Sequence, residues 1–198
     1  HSARSRATTL VEDTVADALL AHGSRYVVLE NFGVRNLSTS AGACGVISDT
    51  VSGGQQNFLW HKLHVYGCRQ GAIVKGFNND GSRILQCQFS NNRREGLILM
   101  DDSSNNSPNQ ILVQSTDINQ NNSDVVAGIY NVSLIGDSAG SYNAVFDQCK
   151  IHGFAGRFDV QGWRTLVIKN GYYEVGSSGY GGLYDNIPMI HVPLNPNG

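Results

Sequence analysis

Six segments of this chain repeat one order of residue types, and that repetition restricts the fold more than any single motif does. They are VVLENFGVRN (27–36), FLWHKLHVYG (58–67), RILQCQFSN (83–91), LVQSTDINQ (112–120), VFDQCKIHG (145–153) and VIKNGYYEV (167–175). Each carries an apolar pair, two or three mostly polar residues, and then two positions spaced by two: Phe32/Val34, Leu63/Val65, Cys87/Phe89, Thr116/Ile118, Cys149/Ile151 and Gly171/Tyr173. Side chains at i and i+2 lie on one face of a strand, so the residue between them faces the other way. A corner follows each pair, marked by Asn36, Gly67, Asn91, Asn121, Gly153 and Gly176, residue types that tolerate a left-handed backbone. A second short strand then opens on Gly45, Gly71, Gly96, Gly128 or Arg157.

Equivalent positions recur every 22 to 33 residues, the period of one solenoid coil with loops of varying length. The Leu-x-x-Leu-x-Leu signature of a leucine-rich repeat is absent. An antiparallel sandwich is the competing architecture, but no hairpin signal such as Asn-Gly recurs between the runs. The expected fold is therefore all-β: a single-stranded right-handed parallel β-helix of about six rungs. Residues 12–22 (EDTVADALLAH) read as a short amphipathic helix, with Asp13 or Thr14 as N-cap and Gly23 as terminator, placed to plug the open end of the solenoid. The expected organisation is residues 1–24 as N-terminal segment and capping helix, 25–186 as β-helix, and 187–198 as an exit segment where Pro188, Pro193 and Pro196 end strand pairing.

Composition narrows the function classes. With 198 residues, 23 of them Gly, and a net charge of −2, the chain has the length of one domain and no sequence-wide basic bias for nucleic acid. No stretch approaches the roughly 20 apolar residues that span a bilayer, so no membrane insertion is expected. Residues 1–9 carry Arg4 and Arg6 but no apolar run, so they do not read as a signal peptide; the abrupt start is that of a fragment or processed product. Of the four cysteines, Cys87 and Cys149 share the inward column two rungs apart, roughly twice the ~4.8 Å strand spacing and beyond disulfide reach. Cys44 and Cys68 follow corners on neighbouring rungs, where spacing leaves their state open. Buried free thiols point to folding in a reducing cytoplasm, and with no Cys-x-x-Cys no zinc site is expected.

The rung pattern, the Asn/Gly corners and the helix before the first rung make residues 25–175 resemble the pectate-lyase-like superfamily of parallel β-helices, and within it bacteriophage tailspike proteins. The resemblance is one of fold, with no catalytic signature to carry over. It implies a homotrimer on a virion tail, or otherwise extracellular, that binds bacterial surface polysaccharide along its outer face and can depolymerise it. The alternatives are a secreted polysaccharide lyase, hydrolase or epimerase, and a non-catalytic structural or adhesive spike.

Stacked repeats let surface columns be read directly. The outward column between the paired core positions is Gly33, His64, Gln88, Asp117, Lys150 and Tyr172; the next is Arg35, Tyr66, Ser90, Asn119, His152 and Glu174. Asp117, Lys150, His152 and Glu174 are thus expected on one surface as catalytic candidates, with His64, Tyr66, Gln88, Asn119 and Tyr172 as sugar-binding residues. A hydrolase needs two carboxyl groups about 5–5.5 Å or 6.5–9.5 Å apart. Only Asp117 and Glu174 offer a pair, two rungs and one column apart. A lyase needs a cation to neutralise a uronate and a base to take its proton, which Lys150, His152 and Tyr172 suit. Asp101 and Asp102, near Glu95, form a second acidic candidate, as a hydrolytic pair or with loop carbonyls as a calcium site; otherwise no cofactor is expected. Trp163, at a turn in QGWR, is expected to be exposed and to stack on a sugar ring.

Overall fold

A computed structural model of the protein describes residues 9–13, 18–22, 26–49, 57–76, 81–101, 108–120, 130–136, 143–153, 157–163, 165–174 and 190–192. The chain begins with strands β1 (Thr9–Asp13) and β2 (Ala18–His22). It then passes through triplets: β3 (Tyr26–Glu30), β4 (Phe32–Asn36), β5 (Cys44–Asp49); and β6 (Asn57–His61), β7 (His64–Tyr66), β8 (Gln70–Lys75). Next come β9 (Arg83–Leu85), β10 (Gln88–Ser90), β11 (Leu97–Met100), followed by β12 (Ile111–Gln114), β13 (Asp117–Gln120), β14 (Val132–Ile135). The last triplets are β15 (Asn143–Asp147), β16 (Lys150–Gly153), β17 (Phe158–Gln161) and β18 (Thr165–Lys169), β19 (Tyr172–Tyr173), β20 (Ile190–His191). Each triplet contributes one strand to each of three sheets, ordered β3-β6-β9-β12-β15-β18, β1-β4-β7-β10-β13-β16-β19 and β2-β5-β8-β11-β14-β17-β20. Every pairing between them is parallel. This all-β arrangement of three parallel sheets visited in cyclic order is consistent with a parallel β-helix.

The core lies between the sheets and is built from columns in register. Val34, Val65, Phe89, Ile118 and Ile151 line up in the sheet containing β4 and are fully buried. From the β3 sheet come Leu29, Trp60, Ile84, Val113, Phe146 and Ile168; the β5 sheet adds Val46, Ala72, Leu97, Val132 and Phe158. Where the three sheets meet, Phe158 stands edge-on to Phe146 at 5.2 Å and packs on Tyr173 at 6.0 Å between ring centroids. Gly171, read as an inward position, is exposed, and a side chain there would collide with the Tyr173 ring. The apolar strand after Asn131 is Val132–Ile135, with Tyr130 just before it; Gly128 lies outside the described residues.

The expected capping helix is not formed, and no helix occurs among the described residues. Thr9–Asp13 and Ala18–His22, which overlap the expected helix, pair in parallel with β4 and β5. An isolated helix of eleven residues pays for nucleation with few hydrogen bonds. An extended strand instead uses the open backbone edge of the first complete coil, continues the Val34 column with Val11, and sets Glu12 3.1 Å from Arg35. In the stretch expected to be an exit segment, Ile190–His191 pairs with β17. All four cysteines are buried and free, and burial pushes the thiols of Cys68 and Cys149 up to about 11.

A second set of corners, between the first and second strand of each triplet, has no glycine. Asn31, Lys62, Gln86, Ser115, Gln148 and Asn170 all have φ between 50° and 62°, a conformation costing an L-residue about 1–2 kcal/mol. The N–H groups of Asn31, Lys62, Gln86, Ser115 and Gln148 each donate to a carbonyl of the next coil at 2.9–3.1 Å, so the strain is tied to continuity of the ladder. One position beyond, Cys87, Thr116 and Cys149 turn Sγ or Oγ1 onto corner carbonyls: Cys87 onto Trp60, Thr116 onto Ile84 and Gln114, Cys149 onto Val113. Small side chains with a donor suit that inward position because they satisfy carbonyls that the bend would leave buried. Replacing Ser115 by Val, whose branched Cβ disfavours positive φ, is expected to lower unfolding free energy in urea by about 1–2 kcal/mol; Ser115→Gly should match or exceed the wild type.

Candidate functional site

The outer face of the β4-containing sheet carries the two columns expected from sequence. Gly33, His64, Gln88, Asp117, Lys150 and Tyr172 are in register on successive strands, and so are Tyr66, Ser90, Asn119 and His152. Glu174 follows, its N–H bonded to the Ile151 carbonyl at 3.0 Å. Alternation in the strands turns these side chains away from the core because Val65, Phe89, Ile118 and Ile151 between them are drawn into it, but Ser90 and Asn119, the latter expected to bind sugar, are themselves buried.

Two groups form along this face. In the first, His152 Nε2 lies 3.0 Å from Asp117 Oδ1, and Asn119 Nδ2 donates to the same oxygen at 3.1 Å. The pair is partly covered, with 26% of the His152 side chain and 35% of the Asp117 side chain exposed. Asp117 thereby orients the imidazole and leaves Nδ1 as the nitrogen turned away from it. The backbone behind is pinned by buried Asn131, whose Nδ2 donates to the carbonyls of Ile118 and His152 at 3.3 and 3.0 Å. Tyr172, one strand on, is edge-on to His152 with ring centroids 6.4 Å apart. Its hydroxyl donates to Glu174 Oε2 at 2.5 Å, which pushes the phenol above its ordinary value because the carboxylate holds the proton. Lys150 stands exposed between Asp117 and Tyr172 in the column.

In the second group His64 Nε2 lies 2.8 Å from Ser90 Oγ, and the imidazole stacks on Tyr66 with centroids 4.6 Å apart. The Arg35 guanidinium lies over the other part of that ring, 5.8 Å from its centroid. Half-buried Gln88 separates the two groups. The face thus offers an oriented acid–base pair, a phenol kept protonated by a carboxylate, an exposed ammonium and a cation-backed aromatic pair. Asp117 and Glu174 are both engaged and stand two strands apart, about twice the ~4.8 Å strand spacing, which does not favour a hydrolytic pair.

The other sequence candidates lie elsewhere. Asp101 follows β11, its N–H bonded to the Ile135 carbonyl at 3.1 Å, in a different sheet from the stripe. Asp102 lies outside the described residues. Trp163, expected to stack on sugar, is half-buried and packs against the main core, because it follows the β17 corner, where the chain turns toward the next inward strand. Among the described residues no group of three His, Cys, Asp or Glu side chains is arranged to hold a metal ion.

Sequence reading missed the outer face of the β3-containing sheet. Val28, Leu59, Arg83, Leu112, Val145 and Val167 form one column there, with Val28 63% exposed and Tyr26 beside it 85% exposed. An open depression of about 350 Å³ lies on this face, lined by Tyr26, Val28, Asn57, Leu59, Arg83 and Leu85. The signal was in the repeat: two consecutive apolar residues in a strand cannot both face inward, so one of each pair had to lie outside. The lining of this hollow carries no acid–base pair, but the same outer face holds one: His61 Nδ1 lies 2.7 Å from Glu30 Oε1, in the column that continues through Leu85. Substituting Glu174 by Gln is expected to lower the Tyr172 phenol toward its ordinary value, read as the phenolate ultraviolet titration that differs from that of Tyr172→Phe; an unchanged titration would mean the carboxylate does not hold that proton. Comparison with protein-family models, with curated proteins and with solved structures found no match to this chain.

Proposed function

We propose that the protein is a right-handed parallel β-helix of the tailspike type, binding bacterial surface polysaccharide along the outer face of the β4-containing sheet and depolymerising it there. The observation that carries this reading is the His152–Asp117 contact at 3.0 Å beside the Tyr172–Glu174 pair, on one solvent-facing stripe with stacking aromatics at its other end. Long polymers suit a flat, extended stripe of repeated polar columns, because each coil presents equivalent positions ~4.8 Å from the last. Elimination fits these groups better than hydrolysis. His152 takes the proton beside the carboxylate of a uronate, whose charge the Lys150 ammonium neutralises, the electrons form the C=C bond, and the glycosidic oxygen leaves with a proton from the Tyr172 hydroxyl. No cofactor enters these steps; a calcium ion bridging the uronate is an additive to vary in the assay.

The decisive assay is incubation of the intact protein with panels of capsular and lipopolysaccharide polymers, with product mass as readout. A product lighter by one water is expected, and it should disappear in Lys150→Ala and His152→Ala variants of unchanged circular dichroism. A product of full hydrolytic mass, or cleavage retained in both variants, would move the chemistry toward Asp101 and Asp102. Binding without cleavage would leave the adhesive-spike reading, and no binding to any polymer would overturn the proposal.

The proposed homotrimer finds support in the apolar column of the β3-containing sheet, where Val28 and Val167 stand exposed beside Leu59, Leu112 and Val145. Packing such columns together would remove them from water at about 25 cal/mol per Å² of apolar surface. Light scattering on eluting protein should give three times the chain mass, and Val28→Glu with Val167→Glu should lower it; a wild-type monomer would sink the trimer.

A further inference from the structure

We infer that the depression on the outer face of the β3-containing sheet binds a small organic anion with a flat ring body, of the aromatic carboxylate class. The site is separate from the polar stripe, and its ligand is separate from the polymer. Strands β3, β6 and β9 pair in register, so their outward positions form a grid with about 5 Å between strands and about 7 Å along them. Tyr26 and Asn57 stand on one side, and Val28, Leu59 and Arg83 run down the middle. The third column starts at Glu30 and ends at Leu85. Gly81 leaves the grid open beside Asn57, since a Cβ there would stand 3.5 Å from the Asn57 amide nitrogen. Its φ of 79° disfavours any side chain, so the turn into β9 itself keeps the gap. What results is the hollow of about 350 Å³, floored by Val28, Leu59 and Leu85.

Arg83 gives the hollow its chemistry. In its column it stands between Leu59 and Leu112, an exposed cation with an apolar neighbour on each side. No carboxylate pairs with it among the described residues. The acids of this face are engaged elsewhere. Glu30 lies 2.7 Å from His61 Nδ1, and Asp147 lies 3.7 Å from Lys169 while accepting from Gln114 and Asn170. An exposed guanidinium offers a planar pair of donors that matches one carboxylate. Glu30 occupies the corner of the grid opposite Gly81, so the anionic end of a ligand belongs at Arg83 and its apolar body over Val28 and Leu59. Tyr26, 85% exposed, supplies a ring on which a flat body stacks. An apolar floor with a few polar groups at its rim is the usual make-up of a small-molecule site. A neutral sugar chain would leave the guanidinium unanswered and set hydroxyls against the floor, so the hollow and the stripe differ in ligand class.

The probe is 2-naphthoate, with 2-naphthamide as its neutral counterpart of the same shape. A ligand-observed NMR titration of the intact protein, in the oligomeric state in which it elutes, should show the carboxylate binding at least about fivefold more tightly than the amide. Arg83→Gln should raise the naphthoate Kd about tenfold and abolish the preference. Urea unfolding should not change, because Arg83 makes no ion pair that holds the fold among the described residues. Tyr26→Ala should weaken both probes, and Arg69→Gln, between β7 and β8 and outside this sheet, should weaken neither. Equal binding of the two probes, naphthoate binding that survives Arg83→Gln or is lost with Arg69→Gln, or no binding because subunits seal the hollow, overturns the inference. The polymer panel reads the stripe independently, so failure at the hollow leaves the polysaccharide reading standing.

Discussion

Backbone N–H and carbonyl groups of successive coils meet along the strands and at the left-handed corners from Asn31 to Gln148, and this hydrogen bonding from coil to coil organises the rest of the molecule. A parallel strand cannot satisfy its backbone within its own turn, so each coil depends on its neighbours. The corner residues show how strict the dependence is. Asn31 through Asn170 accept an unfavourable backbone at six equivalent places, and the N–H groups of the first five reach across to the next coil. Cys87, Thr116 and Cys149 then cover the carbonyls the bend leaves inside.

Because register is carried from coil to coil, surface chemistry is organised as columns, and the three outer faces differ. The β4 face is polar and holds the oriented His152–Asp117 pair. The β3 face carries an apolar column from Val28 to Val167 and, beside it, a mostly polar one from Glu30 and His61 to Asp147 and Lys169. On the β5 face, Ile73 and Ile98 point away from the main core yet are buried in a separate cluster with Cys44. The β4 face therefore combines water access with groups able to exchange protons, as does the His61–Glu30 pair on the β3 face, whose side chains are 24% and 54% exposed. The thiols stay out of this chemistry, since burial raises Cys68 and Cys149 to about 11 and keeps them protonated near neutrality.

The repeat alone determined the parallel coil, the inward columns from Leu29 to Ile168 and from Val34 to Tyr173, and the two polar columns that hold Asp117 and His152. These follow from strand periodicity, a local property legible in order and spacing. Tertiary structure decided what periodicity could not. Residues 12–22 have a helical pattern, but the unpaired edge of β4 and β5 draws Thr9–Asp13 and Ala18–His22 into strands instead, because an open ladder offers more hydrogen bonds than a short isolated helix. Trp163 stands in a turn-like sequence, yet lies against the core toward which its coil closes. The left-handed corner falls on Lys62, Gln86 and Gln148 as readily as on Asn, since its conformation is imposed by the neighbouring coils and not by the residue itself. Which outward residues touch, and that His152 faces Asp117 while Tyr172 turns to Glu174, was likewise settled only when the coils stacked.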